Sequence, residues 1–185
     1  IILEQESEKF AQEPRNDSRA QVSGDNMVYV ICTSGSTGRP KPVGVKHSGF
    51  LNLLHWFIEE FGITSSDSVL LMTSLSFDLT QKNIFAPFLV GAELHIPSAE
   101  FYDVDLLKQI ISEQQITLLN CTPSGFYPLI EQGDESSLEL LKSLRCVFLG
   151  GEPISVKRLS RWFGTSACFA DVVNTYGPTE CTDIV

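Results

Sequence analysis

Residues 33–41 combine residue types that suit the binding of a phosphate group. The segment reads TSGSTGRPK and holds two glycines, four hydroxyl side chains and two cations. Glycines let backbone N–H groups approach an anion, the hydroxyls add hydrogen-bond donors, and Lys41 adds positive charge. A Walker P-loop is excluded, because Pro40 and Pro42 flank the lysine and no helix starts there. A flexible linker is the alternative, but strand-like runs on both sides favour a phosphate-binding loop.

Two later segments carry residues that suit a nucleotide and its metal ion. Residues 174–180 read NTYGPTE, in which Tyr176 can stack on a base, Thr179 can donate to a phosphate and Glu180 can hold a divalent cation. Residues 150–153 read GGEP, and the glycines there allow a flat ligand to approach closely. Taken alone, each segment is equally well explained as a simple turn.

The elements that must position these segments alternate between strands and helices. This alternation predicts an α/β fold with a largely parallel sheet and helices on both faces. Ligands of such sheets bind beyond the carboxyl ends of the strands, where these segments fall. We predict strands at 27–32, 43–46, 68–72, 92–96, 116–121, 146–149 and 170–174, and helices at 48–62, 79–90, 104–114, 124–131 and 155–163.

Local signals predict where several of these helices begin and end. Ser48 and Asp103 are predicted N-caps, and Gly62 is predicted to end the first helix. Pro87 is expected to kink or shorten the second helix. Residues 132–137, which read QGDESS, are predicted to form a surface loop.

The chain is divided into three parts on these signals. Residues 1–26 form a polar lead-in segment, and residues 27–67 contain the phosphate-loop strands with the following helix. Residues 68–185 contain the alternating strands and helices of the predicted parallel sheet.

Composition excludes some classes of function. The 185 residues carry a net charge of −10, which argues against a general binder of nucleic acid or of anionic membranes. No apolar run approaches the roughly 20 residues that span a bilayer. The five cysteines have no CxxC spacing, which disfavours a zinc site and predicts buried, reduced thiols in a cytoplasmic protein.

Taken in order, the motifs TSGSTGxPK, FD, GGEP and NxYGPTE resemble those of the adenylate-forming superfamily. The closest resemblance is to the adenylation domain of nonribosomal peptide synthetases, and it covers residues 27–185. It implies the flavodoxin-like part of the large subdomain, truncated at both ends and without the C-terminal subdomain. Pro42 departs from the pattern, since the family usually has glycine there, and a stiffer loop is expected.

The resemblance implies that an amino acid and MgATP form an aminoacyl-AMP, which a phosphopantetheine thiol on a peptidyl carrier domain then accepts. Thr179, Glu180 and Lys41 would be catalytic, and Glu180 would also bind Mg²⁺. The residues implied for nucleotide binding are Thr33, Ser34, Gly35, Ser36, Thr37, Gly38, Gly151, Glu152, Pro153, Asn174, Tyr176 and Gly177.

The resemblance also implies a substrate pocket. Asp78 of the FD motif would pair with the α-ammonium group, which predicts an amino acid instead of a fatty or aryl acid. Lys82 and Asp183 would either pair with each other or face the substrate side chain, and a polar substrate is expected. The implied pocket residues are Asp78, Leu79, Lys82, Asn120, Phe148, Gly150, Thr175, Asp183 and Ile184.

Other functions are weighed against this interpretation. The chain by itself is expected not to complete a turnover, so a non-catalytic binding or structural fragment is one alternative. The acyl-CoA synthetase branch of the same superfamily is another. A serine hydrolase is disfavoured, because residues 35–38 read GSTG and not Gly-x-Ser-x-Gly.

Overall fold

The first two described strands form a β-hairpin. The computed structural model describes residues 11–12, 21–34, 38–97 and 102–184. Strand β1 (Met27–Ser34) pairs in antiparallel fashion with β2 (Pro40–Lys46). Strand β2 begins earlier than predicted, because the ladder continues to the Ser34–Pro40 pair.

A five-stranded parallel sheet follows and confirms the predicted fold class. Its strands are β3 (Ser68–Leu70), β4 (Glu93–His95), β5 (Leu118–Cys121), β6 (Cys146–Gly150) and β7 (Asp171–Thr175). Their spatial order is β4-β3-β5-β6-β7, and every neighbouring pair is parallel. The chain runs outward from β3 to β4 and then returns past β3 to β5. This reversal creates a switch point between β3 and β5, where ligands of open α/β sheets bind.

Helices cover both faces of the sheet and create two separate apolar cores. One core contains residues of α1 and α2, and the other contains residues of α3, α4 and α5. The helices are α1 (His47–Glu60), α2 (Leu79–Val90), α3 (Val104–Glu113), α4 (Pro123–Glu131) and α5 (Val156–Phe163). Two 3-10 helices, Glu135–Leu141 and Thr179–Cys181, complete the described elements.

The helix ends agree with the sequence-based predictions in part. Asp103 accepts hydrogen bonds from the backbone of Asp105 and Leu106, as predicted for an N-cap. Gly62 follows α1 with a φ of 54°, a conformation that suits glycine and ends the helix as predicted. The prediction for Ser48 is wrong, because α1 already begins at His47 and Ser48 lies in its first turn.

The cysteines differ from the prediction in their exposure. All five are free; Cys121 and Cys146 are buried, whereas Cys32 and Cys181 are exposed. Cys32 is exposed because side chains of a strand alternate between faces, and its neighbour Ile31 takes the buried side. Among the described helices, none is both long and apolar enough to cross a bilayer.

Candidate functional site

The two described ends of the predicted phosphate loop face each other in the β1–β2 ladder. Thr33 lies opposite Lys41 in the ladder, and its hydroxyl donates to the Lys41 carbonyl oxygen over 3.3 Å. Gly38 has a φ of 79°, which turns the backbone back into β2. Ser34 and Lys41 are exposed beside it. Gly35, Ser36 and Thr37, the centre of the predicted loop, lie outside the described residues.

Pro42, the residue that departs from the family pattern, lies within β2. It stands opposite Cys32 in the ladder and therefore belongs to the base of the hairpin. The added stiffness of proline thus falls on the strand that leads away from the loop.

The two later motifs converge on one groove at the carboxyl edge of β6 and β7. The register places Gly150 beside Thr175, and the groove opens just beyond this pair with a volume of about 460 Å³. Its size falls within the range of about 300–1,000 Å³ that is usual for small-molecule sites. The groove is lined by Gly151, Glu152, Pro153, Ile154, Asn174, Thr175, Tyr176 and Gly177.

The groove therefore brings together the six residues outside the hairpin that the resemblance implied for nucleotide binding. Tyr176 is 76% exposed, so its ring is open to a stacking partner. Gly151 has a φ of 81°, a conformation that disfavours other residues at the turn after β6. A Cβ atom on Gly150 would lie 3.1 Å from the Thr175 carbonyl oxygen, so the two strands approach closely here.

The Glu152 carboxylate is held by α4, a contact that the sequence analysis missed. It accepts hydrogen bonds from the Ser124 backbone N–H at 3.0 Å and from the Ser124 hydroxyl at 2.8 Å. Ser124 lies in the first turn of α4, where unpaired N–H groups favour an anion. The contact fixes one wall of the groove. Its only sequence signal was a serine just after the Thr122-Pro123 helix start.

A strained turn links the groove to the substrate region. Thr182 and Asp183 follow the 3-10 helix with φ values of 66° and 77°, which residues other than glycine rarely adopt. This turn packs against Gly177, where a Cβ atom would overlap the Asp183 carbonyl oxygen. The packing fixes the intervening 3-10 helix, which carries Thr179 and Glu180.

Glu180 is the residue predicted to bind a metal ion, and it is exposed. Among the described residues, no group of three or more metal-binding side chains lies together. Proteins usually hold Mg²⁺ through one or two carboxylates, with phosphate and water oxygens as the other ligands. A single exposed carboxylate three residues beyond Gly177, which lines the groove, is compatible with that mode.

Asp78 lies at the switch point of the sheet. It caps α2, and one carboxylate oxygen accepts a hydrogen bond from the Leu79 backbone N–H over 2.8 Å. Its side chain is half-buried. A helix N-terminus stabilises a negative charge, so this position suits an ionised carboxylate that can meet a cation.

Lys82 and Asp183 form a buried ion pair, the first of the two arrangements that the sequence analysis left open. The Lys82 ammonium contacts the Asp183 carboxylate, and the two side chains are 0% and 8% exposed. Burial lowers the pKa of Lys82 and raises the pKa of Asp183, since both charged forms lose water. Each charge therefore depends on the other for compensation.

An amide network extends this pair across the sheet. The Asn120 side chain on β5 donates to the Leu79 carbonyl oxygen at 3.3 Å and to the Asn83 side-chain oxygen at 2.9 Å. Lys82 donates to the same Leu79 carbonyl oxygen over 3.4 Å. Phe148 lies beside Asn120 in the ladder and is fully buried. Five of the predicted pocket residues, with Asp183 included, thus touch or adjoin one another.

The other predicted pocket residues lie around this network. Ile184 packs against the core on the α1–α2 face. The Thr175 hydroxyl donates to the Leu149 carbonyl oxygen over 3.3 Å, at the border between the network and the groove. Thr175 also lines the groove, so the two regions adjoin.

Tyr29 was missed by the sequence analysis and lies next to the site. Its ring packs edge-on against Phe50, with centroids 5.4 Å apart, and its hydroxyl is buried without a hydrogen-bond partner among the described residues. Burial, together with the charges of Asp183 and Asp78, raises its pKa well above the usual value. In sequence, an aromatic residue within a strand is typical of the core, so no signal distinguished Tyr29 from ordinary core residues.

Comparison with known proteins identifies the family of the chain. A family model described as "AMP-binding enzyme" matches residues 2–185. Surfactin synthase subunit 2 of Bacillus subtilis (strain 168) is 38% identical over 176 residues, which make up 91% of this chain and 5% of that protein. The chain thus spans a small part of the length of this curated relative.

Solved structures agree with this match. The N-terminal subdomain of Klebsiella oxytoca NpsA, in complex with 3-hydroxyanthranilyl-AMSN, has a TM-score of 0.81 at 26% identity over 96% of this chain and 44% of that chain. The nonribosomal peptide synthetase FmoA3 (S1046A), in its alpha-methyl-L-serine-AMP bound form, has a TM-score of 0.76 at 28% identity over 87% of this chain and 18% of that chain. The resemblance inferred from the motifs is confirmed, and the chain belongs to the family of AMP-binding enzymes.

Proposed function

We propose that this chain is the nucleotide- and substrate-binding part of an enzyme that activates an amino acid with MgATP. The observation that carries the proposal is the position of Asp78, a half-buried carboxylate at the switch point. It lies on the same sheet edge as the groove, which collects six of the residues implied for nucleotide binding. An acid and a nucleotide bound at these two places would meet at the Thr179–Glu180 turn.

Each region has a separate task in this proposal. The groove holds the adenine, with Tyr176 stacked on it, and the β1–β2 hairpin with Lys41 holds the terminal phosphates. Thr179 donates to the α-phosphate. Glu180 binds Mg²⁺, which neutralises phosphate charge. Orienting the two anions in this way supplies much of the rate enhancement of such a reaction.

Asp78 is the residue that separates an amino acid from other carboxylic acids. The ligands of the two solved relatives carry different acyl groups, so the fold by itself does not choose between them. A fatty or aryl acid offers no cation with which a carboxylate at this position could pair. A substrate with an α-ammonium group offers one and forms an ion pair with it.

The proposal extends to partners and location. The aminoacyl group passes to a phosphopantetheine thiol on a carrier domain, and a C-terminal subdomain completes the catalytic site. The cytoplasm is the proposed location, since ATP is available and thiols stay reduced there. The chain alone is proposed to show negligible ATP–pyrophosphate exchange, and robust exchange by the pure chain would refute this.

The test is a graft followed by pyrophosphate exchange. Residues 68–185 replace the matching segment of an intact adenylation domain, and amino, aryl and fatty acids are compared as substrates. We expect exchange with an amino acid, and its loss when Asp78→Asn is introduced. Asp171→Asn is the matched control, because Asp171 is exposed at the opposite end of the sheet, where β7 begins. Exchange only with acids that lack an amino group would contradict the proposal and favour the acyl-CoA synthetase branch.

A further inference from the structure

The wall of the groove that follows β6 is formed by residues 151–154. Among the described residues, no hydrogen bond between two backbone groups includes any of these four. Gly151 has the backbone freedom of a glycine, and Pro153 has no N–H group to donate. Side chains must therefore decide where this wall lies.

Two hydrogen bonds between Glu152 and Ser124 fix the wall. The Glu152 carboxylate accepts them from the backbone N–H and the hydroxyl of Ser124, at 3.0 and 2.8 Å. Within the part of the chain that the structure describes, residues 151–154 make no other hydrogen bond. The anchor is rigid, because α4 packs its fully buried side chains, among them Phe126 and Leu129, into the core.

A second contact with α4 holds the residue that follows the wall. The Tyr127 hydroxyl accepts a hydrogen bond from the Ser155 backbone N–H over 2.7 Å. Tyr127 lies three positions after Ser124 and therefore on the same face of the helix. At the other end of the wall, Gly150 is paired with Thr175 in the sheet. Removing the Ser124 contact would therefore free the middle of the wall while both of its ends stay in place.

The same contact compensates a negative charge on the wall. Glu152 is exposed, and its carboxylate is bound to the first turn of α4, where unpaired N–H groups favour an anion. The Ser124 hydroxyl adds a second donor. Released from α4, the carboxylate would be free to turn into the groove, where its charge would repel the phosphate groups of a nucleotide.

From these contacts, and resting on the function proposed above, we propose that Ser124 is a positioning residue for nucleotide binding. It holds Glu152 against α4 and thereby fixes the wall before the base binds, without touching the nucleotide. A wall that is fixed in advance loses little conformational freedom when the ligand binds, which strengthens binding. Glu152 therefore serves the nucleotide through its contact with Ser124.

The test compares the affinity for AMP of the full 185-residue chain and of its variants, measured by calorimetry. Ser124→Ala removes the hydroxyl and keeps the backbone N–H group, so one of the two hydrogen bonds is lost. We expect this variant to bind AMP about fivefold more weakly. Ser124→Thr keeps the hydroxyl and is expected to retain the affinity of the unmodified chain.

A double substitution tests whether Ser124 acts through Glu152. Glu152→Ala removes both hydrogen bonds and is expected to weaken AMP binding at least as much as Ser124→Ala does. In the Glu152→Ala background, Ser124→Ala is expected to cause no further loss, because the contact that it would break is already absent. Losses that simply add would mean that Ser124 acts on the nucleotide by another route, and they would overturn the inference.

Ser136→Ala is the matched control. The Ser136 hydroxyl donates to the Asp134 carboxylate over 2.7 Å, and that carboxylate also accepts from the Ser137 backbone N–H, so the arrangement is like that of Glu152 and Ser124. It lies beyond the C-terminus of α4, at the opposite end of the helix from the groove. Both alanine substitutions are expected to shift the midpoint of urea denaturation by similar small amounts, whereas only Ser124→Ala weakens AMP binding. An equal loss of AMP affinity in both variants would indicate a general loss of stability and would overturn the inference.

The outcomes separate this inference from the proposed function. If the unmodified chain binds AMP and Ser124→Ala binds it equally well, the inference is wrong and the proposed function stands. Weak binding by Ser124→Thr would likewise overturn the role of the hydroxyl. If the unmodified chain does not bind AMP, the groove is not a nucleotide site, and the proposed function and this inference fail together.

Discussion

Gly177 and Asp183 touch through their backbones, and no side chain fits between them. A Cβ atom on Gly177 would overlap the carbonyl oxygen of Asp183. Gly177→Ala is therefore expected to push the turn away, weaken the Lys82–Asp183 pair and destabilise the chain by about 2 kcal/mol. Urea denaturation measures this change.

Gly164→Ala is the matched control for this substitution. Gly164 has an ordinary φ of −80°, and a Cβ atom there would meet its nearest neighbour at 3.5 Å. It is expected to be neutral, or to stabilise by about 0.5 kcal/mol by restricting the unfolded chain. Equal effects of the two substitutions would contradict the packing argument.

The loops were predictable from sequence because their chemistry is local. Glycine, proline and hydroxyl residues define turns over a few positions, and alternating apolar runs define the strands between them. The start of α1 was misplaced by one residue, since Ser48 has the right type for a cap but Lys46 occupies the cap position. The start of such a helix depends on the residue at which the preceding strand ends its pairing.

Contacts between distant positions could not be predicted in the same way. Lys82 and Asp183 are 101 positions apart, and the sequence allowed either a mutual pair or a substrate contact. Ser124 and Glu152 are 28 positions apart and carry no motif that links them.

Tyr176 is expected to contribute to nucleotide binding and not to stability. Its ring is 76% exposed at the groove, so Tyr176→Ala removes little packing. The loss of stacking on adenine is expected to weaken AMP binding about tenfold. Calorimetry measures the affinity, and urea denaturation checks that the fold is intact. Tyr176→Phe keeps the stacking surface and is expected to retain the affinity; an unchanged affinity in Tyr176→Ala would mean that the base binds elsewhere.

The buried ion pair is expected to show strong coupling between its partners. Lys82→Met leaves the Asp183 charge buried alone, and Asp183→Asn does the same to Lys82. Each single substitution is expected to cost about 3–5 kcal/mol. The double substitution removes both charges, so its loss of free energy of unfolding should be clearly smaller than the sum of the two single losses. Urea denaturation of all four proteins gives the coupling, and simple additivity would show that the pair does not interact.

Arg145 and Asp67 join the amino-terminal edge of the sheet to the end of α1. Arg145 donates to the two Asp67 carboxylate oxygens at 2.7 and 2.9 Å, and to the carbonyl oxygens of Phe61 and Gly62. Burial opposes ionisation of Asp67, but hydrogen bonds from Arg145, Thr64 and Thr117 outweigh it and lower the pKa of the carboxyl group. Asp67→Asn is expected to destabilise the chain by about 2 kcal/mol at neutral pH.

The pH dependence follows from the direction of this shift. Because the pKa is lower in the folded state, the contribution of Asp67 is complete above the pKa of the unfolded chain, near 3.8. This contribution is lost as the pH falls below that value. The difference in free energy of unfolding between Asp67→Asn and the unmodified chain should therefore become smaller there. Glu131→Gln is the control, since its partner Arg158 is half-exposed and the effect should be small. A difference in free energy of unfolding that stays constant with pH would contradict the assignment of the pH dependence to Asp67.

Tyr29→Phe is expected to stabilise the chain, because the hydroxyl that it removes is buried. The Tyr29 hydroxyl is buried without a partner among the described residues, so removing it relieves a desolvation cost of about 1 kcal/mol. The ring keeps its packing against Phe50. Burial and nearby carboxylates raise the Tyr29 pKa, so the hydroxyl stays protonated at neutral pH. The increase in free energy of unfolding should therefore be constant between about pH 6 and 9.

Tyr127→Phe gives the matched comparison, because the Tyr127 hydroxyl accepts a hydrogen bond from the Ser155 backbone N–H over 2.7 Å. This substitution leaves that N–H group unpaired and is expected to destabilise the chain by about 1 kcal/mol. Urea denaturation of the two variants should therefore shift the unfolding midpoint in opposite directions. A loss of stability in Tyr29→Phe similar to that in Tyr127→Phe would mean that the Tyr29 hydroxyl has a partner in solution, and the nearby carboxylates of Asp78 and Asp183 would then be the acceptors to examine.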